Sequence, residues 1–148
     1  MTQNTRRKLI TGTVTALAAG AATASAQTKL EKKVIRSGPK PAKPPLYSPT
    51  VQYGNLIFIS GAGYHEKGDI KVHTEGVLAD IKKQLEAAGS SMNKVLKASV
   101  FLADLKDYAA MNEVYMGKFG DEPPVRTTVA VAGVPGNSLV EIDVIAYV

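Results

Sequence analysis

Residues 46 to 148 hold a single arginine, Arg126, which follows Pro123-Pro124 at the mouth of a β-rich run. A planar guanidinium offers two parallel donors to a carboxylate, a geometry that lysine does not match. Arg126 therefore reads as the anchor of a small carboxylate ligand or as half of a surface or intersubunit ion pair. Glu141 alternates with apolar residues in the last strand-like run, and it is a second functional candidate, a partner for such an arginine, or a charge facing solvent. His65 falls in a turn and His73 at a helix start, with no carboxylate cluster at metal-ligand spacing, so both read as solvated imidazoles. Cysteine is absent, which removes thiol nucleophiles, soft metal ligands and disulfides. There is no Gly-rich phosphate loop, no G-x-S-x-G and no H-E-x-x-H.

Charge excludes another class. The chain carries a net +5, yet residues 46 to 148 contain nine Lys and Arg against twelve Asp and Glu, a net of −3. Basic residues concentrate instead before residue 46, at Lys29, Lys32, Lys33, Arg36, Lys40 and Lys43. A surface that tracks phosphates needs clustered cations on the folded part, so no nucleic-acid partner is expected.

The elements that must position these residues follow from periodicity. Val51-Gln52-Tyr53, Gly54-Asn55 and Leu56 to Ser60 predict a hairpin with a two-residue turn. From about Val72 to Ala88, Val77, Leu78, Ile81, Leu85 and Ala88 recur at three- and four-residue spacing, the stripe of an amphipathic helix closed by Gly89. Lys97 to Ala103 reads as a strand buried on both sides. Asp107 is placed to cap a second helix whose stripe runs Tyr108, Met111, Val114, Tyr115 and Phe119, before Gly120. Val125 to Val131 and Val140 to Tyr147 complete a ββαβαββ order, a single α+β domain whose two helices cover one face of the sheet. The uncovered face holds Glu141 beside apolar neighbours, which points to burial by another subunit.

Ahead of this domain, Gly38 to Pro45 is a Pro-rich extended connector, and residues 27 to 45 read as a basic linker. Residues 1 to 26 read as an export signal: Arg6, Arg7 and Lys8, an apolar run from Val14 to Ala24, then Ala24-Ser25-Ala26 as an A-x-A cleavage site. The run is shorter than the roughly 20 apolar residues that span a bilayer, so no stable membrane anchor is expected. Arg6-Arg7 resembles the twin-arginine signal, with Leu9 in place of its usual Phe, and the general route stays open. Cleavage after Ala26 and a periplasmic address are the expectation.

Several segments resemble, in order, those of the Rid (YjgF) imine and enamine deaminase family: Leu46-Tyr47-Ser48, Ile59-Ser60-Gly61, Glu86 to Ser91, Ala98 to Asp104, Met111 to Tyr115, Pro124 to Val129, and Val134-Pro135 followed by Val140-Glu141-Ile142. The resemblance spans nearly all of residues 46 to 148. It implies a chorismate-mutase-like fold, a homotrimer with a ligand cleft at each interface, and hydrolysis of small 2-imino or enamine carboxylates to a 2-keto acid and ammonia without metal or organic cofactor. By the same resemblance Arg126 grips the substrate carboxylate and Glu141 places the attacking water. Tyr47 and Ser60 belong to the cleft, and the Thr128 carbonyl stands where the family uses a main-chain acceptor for water. Read without the family, Tyr47 is equally a core or interface tyrosine. Two departures stand out: Ala62 replaces the usual Gln, and Tyr64-His65-Glu66-Lys67 replaces an apolar, proline-containing loop. A trimeric binder of small carboxylates without catalysis is the alternative function.

Overall fold

The computed structural model describes residues 30–148, so the export signal assigned to residues 1–26 lies outside the described residues. Six strands form one sheet: β1 (Lys32–Ile35), β2 (Thr50–Tyr53), β3 (Leu56–Gly63), β4 (Val95–Leu102), β5 (Val125–Ala130) and β6 (Val140–Tyr147). Helix α1 (Ile70–Ala87) joins β3 to β4, and α2 (Tyr108–Tyr115) joins β4 to β5. The spatial order is β1-β2-β3-β6-β4-β5, with β4 and β5 parallel and every other pair antiparallel.

The expected α+β order is present with one addition, because β1 lies inside the stretch read as a linker. Lys32 to Ile35 pairs with Tyr53 to Thr50, so the sheet begins well before residue 46. Proline density marks Gly38 to Pro45 as extended, but Lys32-Lys33-Val34-Ile35 just before it suits a short, charged edge strand.

The core sits between the helices and one sheet face. Val140, Ile142, Val144 and Ala146 of β6 meet Ile57 and Ile59 of β3 and Ala98, Val100 and Leu102 of β4, all at most 5% exposed. Burying an aliphatic side chain of this kind contributes roughly 1.5–3 kcal/mol. Val77, Leu78, Ile81 and Leu85 of α1 close over them. That helix starts two residues earlier than its apolar stripe, since Asp69 caps it by accepting from Val72 N–H at 3.0 Å. Gly89, at φ +78°, ends it and returns Ser90 N–H to the Leu85 carbonyl at 2.8 Å.

Four local expectations are corrected. β4 is buried on one side only, with Leu96 and Lys97 exposed and Ser99 and Phe101 half-buried on the uncovered face. α2 ends at Tyr115 rather than reaching Phe119, because Met116 turns extended and Gly117 takes φ +75°; Phe119 still packs on Tyr115 at 4.8 Å between ring centroids. Asp107 already has helical backbone and makes no capping bond, while Asp104 caps the preceding turn through Lys106 N–H at 2.9 Å. His73 is buried, 4% exposed, with Nδ1 accepting from Leu139 N–H at 3.1 Å, so it is a structural link and not a surface imidazole.

Register fixes which side chains share the uncovered face. One row runs Val34, Val51, Phe58, Ile145, Lys97 and Val125, and the next holds Asp143, Ser99 and Thr127. Phe58, Val125 and Val129 are exposed here.

Candidate functional site

β2 begins at Thr50, so β3 beyond Ile59 has no strand on that side, and the last link is Ser60 N–H to the Pro49 carbonyl at 3.0 Å. The β3–β6 register breaks between Ile59 and Ala62, a bulge that places Ser60 and Gly61 on a free strand edge. A concavity of about 460 Å³ runs along that edge. Tyr47, Ser60, His65 and Glu141 line it, together with Asp80 and Gln84 of α1. No lysine or arginine among the described residues lines it.

Glu141 reaches the cavity because Gly61 has no side chain. A Cβ there would overlap Glu141 Oε1 and stand 2.7 Å from its Cδ. The α1 wall is braced by two hydrogen bonds: Thr50 Oγ1 donates to Gln84 Oε1 at 3.0 Å, and Gln84 Nε2 donates to Asp80 Oδ2 at 2.8 Å. The loop after β3 is fastened too, with Tyr64 N–H donating to Ser138 Oγ at 3.0 Å and Ser138 Oγ–H to the Val140 carbonyl at 2.7 Å. The Tyr64 ring packs where Gly76 leaves room on α1, edge-on to His73 at 5.6 Å.

Arg126 stands elsewhere. It pairs in register with Ala98, which pairs with Val144, so it belongs to the helix-covered face of edge strand β5. Glu141 pairs with Phe101 on the opposite face. The guanidinium lies 4.6 Å from the Tyr115 ring centroid and 5.8 Å from that of Tyr108, and Nη2 donates to Tyr108 Oη at 3.3 Å. Thr128, two residues along the same face, has a buried hydroxyl without a partner. The other two such atoms among the described residues are Asn112 Oδ1 and Tyr115 Oη, both on α2. Burial raises the Tyr115 phenol to about 12, with the Arg126 charge opposing the shift.

Tyr47, Ser60 and Glu141 are thus together in one chain, and Arg126 with Thr128 forms a second group on the other face. Sequence reasoning missed His65, Asp80 and Gln84 as cavity residues, and Tyr108 and Tyr115 as the bed of Arg126. The two tyrosines were legible only as members of an apolar stripe, although a buried tyrosine ordinarily needs a polar neighbour for its hydroxyl. Among the described residues no group of three or more His, Asp or Glu could hold a metal ion, and no helix is long and apolar enough to cross a membrane.

The family model described as Endoribonuclease L-PSP matches residues 36–148. The chain belongs to the Rid (YjgF) family. The Rid chain is 46% identical over 125 residues to a RutC family protein of Pyrococcus horikoshii, covering 78% of this chain and 98% of the relative. It is 32% identical over 126 residues to the chloroplastic Reactive Intermediate Deaminase A of Arabidopsis thaliana, covering 80% of this chain and 67% of the relative. Among solved structures it resembles RidA from an Antarctic Psychrobacter at 37% identity and a TM-score of 0.70, covering 78% of this chain and 99% of that one. Strand β1 precedes the matched span, so this Rid sheet begins outside it.

Two predictions arise from this geometry. Gly61→Ala is expected to keep its melting temperature, because only the flexible end of Glu141 must move, while any reaction that uses the Glu141 carboxylate slows about 10²-fold, the usual result of displacing a reacting group by about 1 Å. Thermal melts beside activity assays separate the two effects. The second concerns Tyr115. A phenol whose folded value of about 12 exceeds the unfolded value near 10 contributes stability that is complete below pH ~10 and is lost as pH rises towards 12. Urea midpoints at pH 9 and 12 should therefore diverge more in the parent than in Tyr115→Phe.

Proposed function

We propose that this Rid protein hydrolyses small 2-imino or enamine carboxylates to a 2-keto acid and ammonia, in clefts completed between copies of the chain. The observation that carries the reading is the separation of charges. The cavity at Glu141 has no lysine or arginine of its own, and the only Arg of residues 46–148 stands on the opposite sheet face with exposed β5 residues Val125 and Val129 near it in the chain. Packing the uncovered sheet face of one copy against another copy would bury Phe58, Ile145 and Val125 and bring a foreign Arg126 to Glu141. Three copies are the assembly the family resemblance implies.

In that cleft Arg126 holds the carboxylate with Thr128 beside it, and Tyr47 and Ser60 flank the substrate. The carbon of a protonated imine is already electrophilic, so the protein has to orient one water and remove its proton. Glu141 accepts that proton as the water oxygen bonds to carbon and the C=N pair moves onto nitrogen. No step requires a metal or organic cofactor. The export-signal pattern of residues 1–26 supports a periplasmic site of action. The net charge of −3 over residues 46–148 gives no support to a nucleic-acid substrate.

The test is ammonia release by the purified protein from imino acids generated beside it by an amino-acid oxidase. Acceleration over the uncatalysed rate is expected. Stabilisation by 2-keto acids without any acceleration would replace this reading with a non-catalytic binder of small carboxylates.

A further inference from the structure

We propose that His65 is the general acid and base that carries the proton to the leaving ammonia, a role that rests on the imine-hydrolysis reading. His65 lines the same cavity as Glu141, Tyr47 and Ser60. Its Nδ1 lies 3.0 Å from the Gly136 carbonyl, and a carbonyl only accepts, so Nδ1 carries a hydrogen. That leaves Nε2 as the nitrogen free to gain and release a proton, and the bond to Gly136 persists in both protonation states.

The ring is held in place rather than merely present. Two glycines admit it: a Cβ at Gly136 would fall 2.5 Å from Cε1, and one at Gly63 would fall 3.3 Å from it. Gly63 is also the cross-strand partner of Glu141, so the ring lies over the place a side chain would take opposite the glutamate. The neighbouring Tyr64 is fastened to Ser138 and to α1. Imidazole is the side chain suited to proton exchange near neutral pH. The other titratable groups that line the cavity are Glu141 on β6, Asp80 on α1 and Tyr47, while Glu66 and Lys67 follow His65 in the chain.

The chemistry divides between two groups. Attack by water forms the C–O bond, sends one water proton to Glu141 and leaves a neutral amine on the tetrahedral carbon. Protonated His65 donates from Nε2 to that amine, making it a leaving group. The C–N bond then breaks, the hydroxyl oxygen pair forms the keto C=O, and the hydroxyl proton returns to Nε2. The proton held by Glu141 leaves through solvent to give ammonium.

His65→Asn is the decisive variant, because its Nδ2–H can still donate to the Gly136 carbonyl while the Nε2 function is gone. The expected result is a kcat about 10²-fold lower with little change in KM, and partial return of the rate when imidazole is added to His65→Ala. A His65→Asn protein as fast as the parent would overturn the proposal and leave imine hydrolysis standing. A slow His65→Asn with no response of His65→Ala to imidazole would equally overturn it, making the ring a fastener of the loop. A parent without turnover would remove both readings together.

Discussion

Replacing Arg126 by alanine should lower kcat/KM for a 2-imino acid by about 10²- to 10³-fold while leaving the protein folded. The size follows from losing a charge-assisted, two-point grip on a carboxylate inside a cleft, an interaction worth about 3–4 kcal/mol when one partner is removed. Folding should survive because the side chain is half-buried and its visible interactions are a 3.3 Å bond to Tyr108 and stacking on Tyr115. Stacking of that kind contributes roughly 0.5–1 kcal/mol at such sites. Arg126→Lys should recover only part of the loss, since an ammonium supplies charge without the two parallel donors. Steady-state kinetics with a thermal melt on each variant checks both halves. An alanine variant as active as the parent would remove carboxylate anchoring from Arg126 and the reading built on it.

The second large effect is a gain. Arg126 and Glu141 face opposite sides of the sheet, so a cleft that uses both must draw them from different subunits. Arg126→Ala and Glu141→Gln should each be nearly inactive alone. Unfolded together in equal amounts and refolded, they should recover about a quarter of the parental activity, the share of clefts in which an intact arginine meets an intact glutamate in a cyclic assembly. Sites contained within one chain would give no recovery at any ratio. Mixing without unfolding provides the control, since recovery then waits on subunit exchange.

How much of this was legible in the sequence depended on the range of the forces involved. Helix α1 was readable because its stripe repeats locally, and β6 because Val140, Ile142, Val144 and Ala146 alternate strictly. β1 was not, since a four-residue edge strand rich in lysine has its partners 15 to 21 residues away and no periodic signal of its own. The half-buried outer face of β4 had the same origin: a short apolar run does not say which side lacks a helix. At the site, Arg126 and Glu141 stood out by scarcity and by position. The role of Gly61, which lets Glu141 cross the strand, and the seat of His65 between Gly63 and Gly136 depend on cross-strand register and a turn some seventy residues distant in sequence. His73 misled for a related reason, because only the fold supplies the Leu139 amide that makes burying it tolerable.

The position of β6 bears on the order in which the molecule can come into being. This strand follows every other described element in chain order, yet in space it lies between β3 and β4, which share no edge without it. As the chain leaves the ribosome, the β2–β3 hairpin, α1 and the β4–α2–β5 unit can each gather locally, but without β6 the facing edges of β3 and β4 have no partner. Joining the two groups of strands into one sheet thus has to wait until β6 has been made.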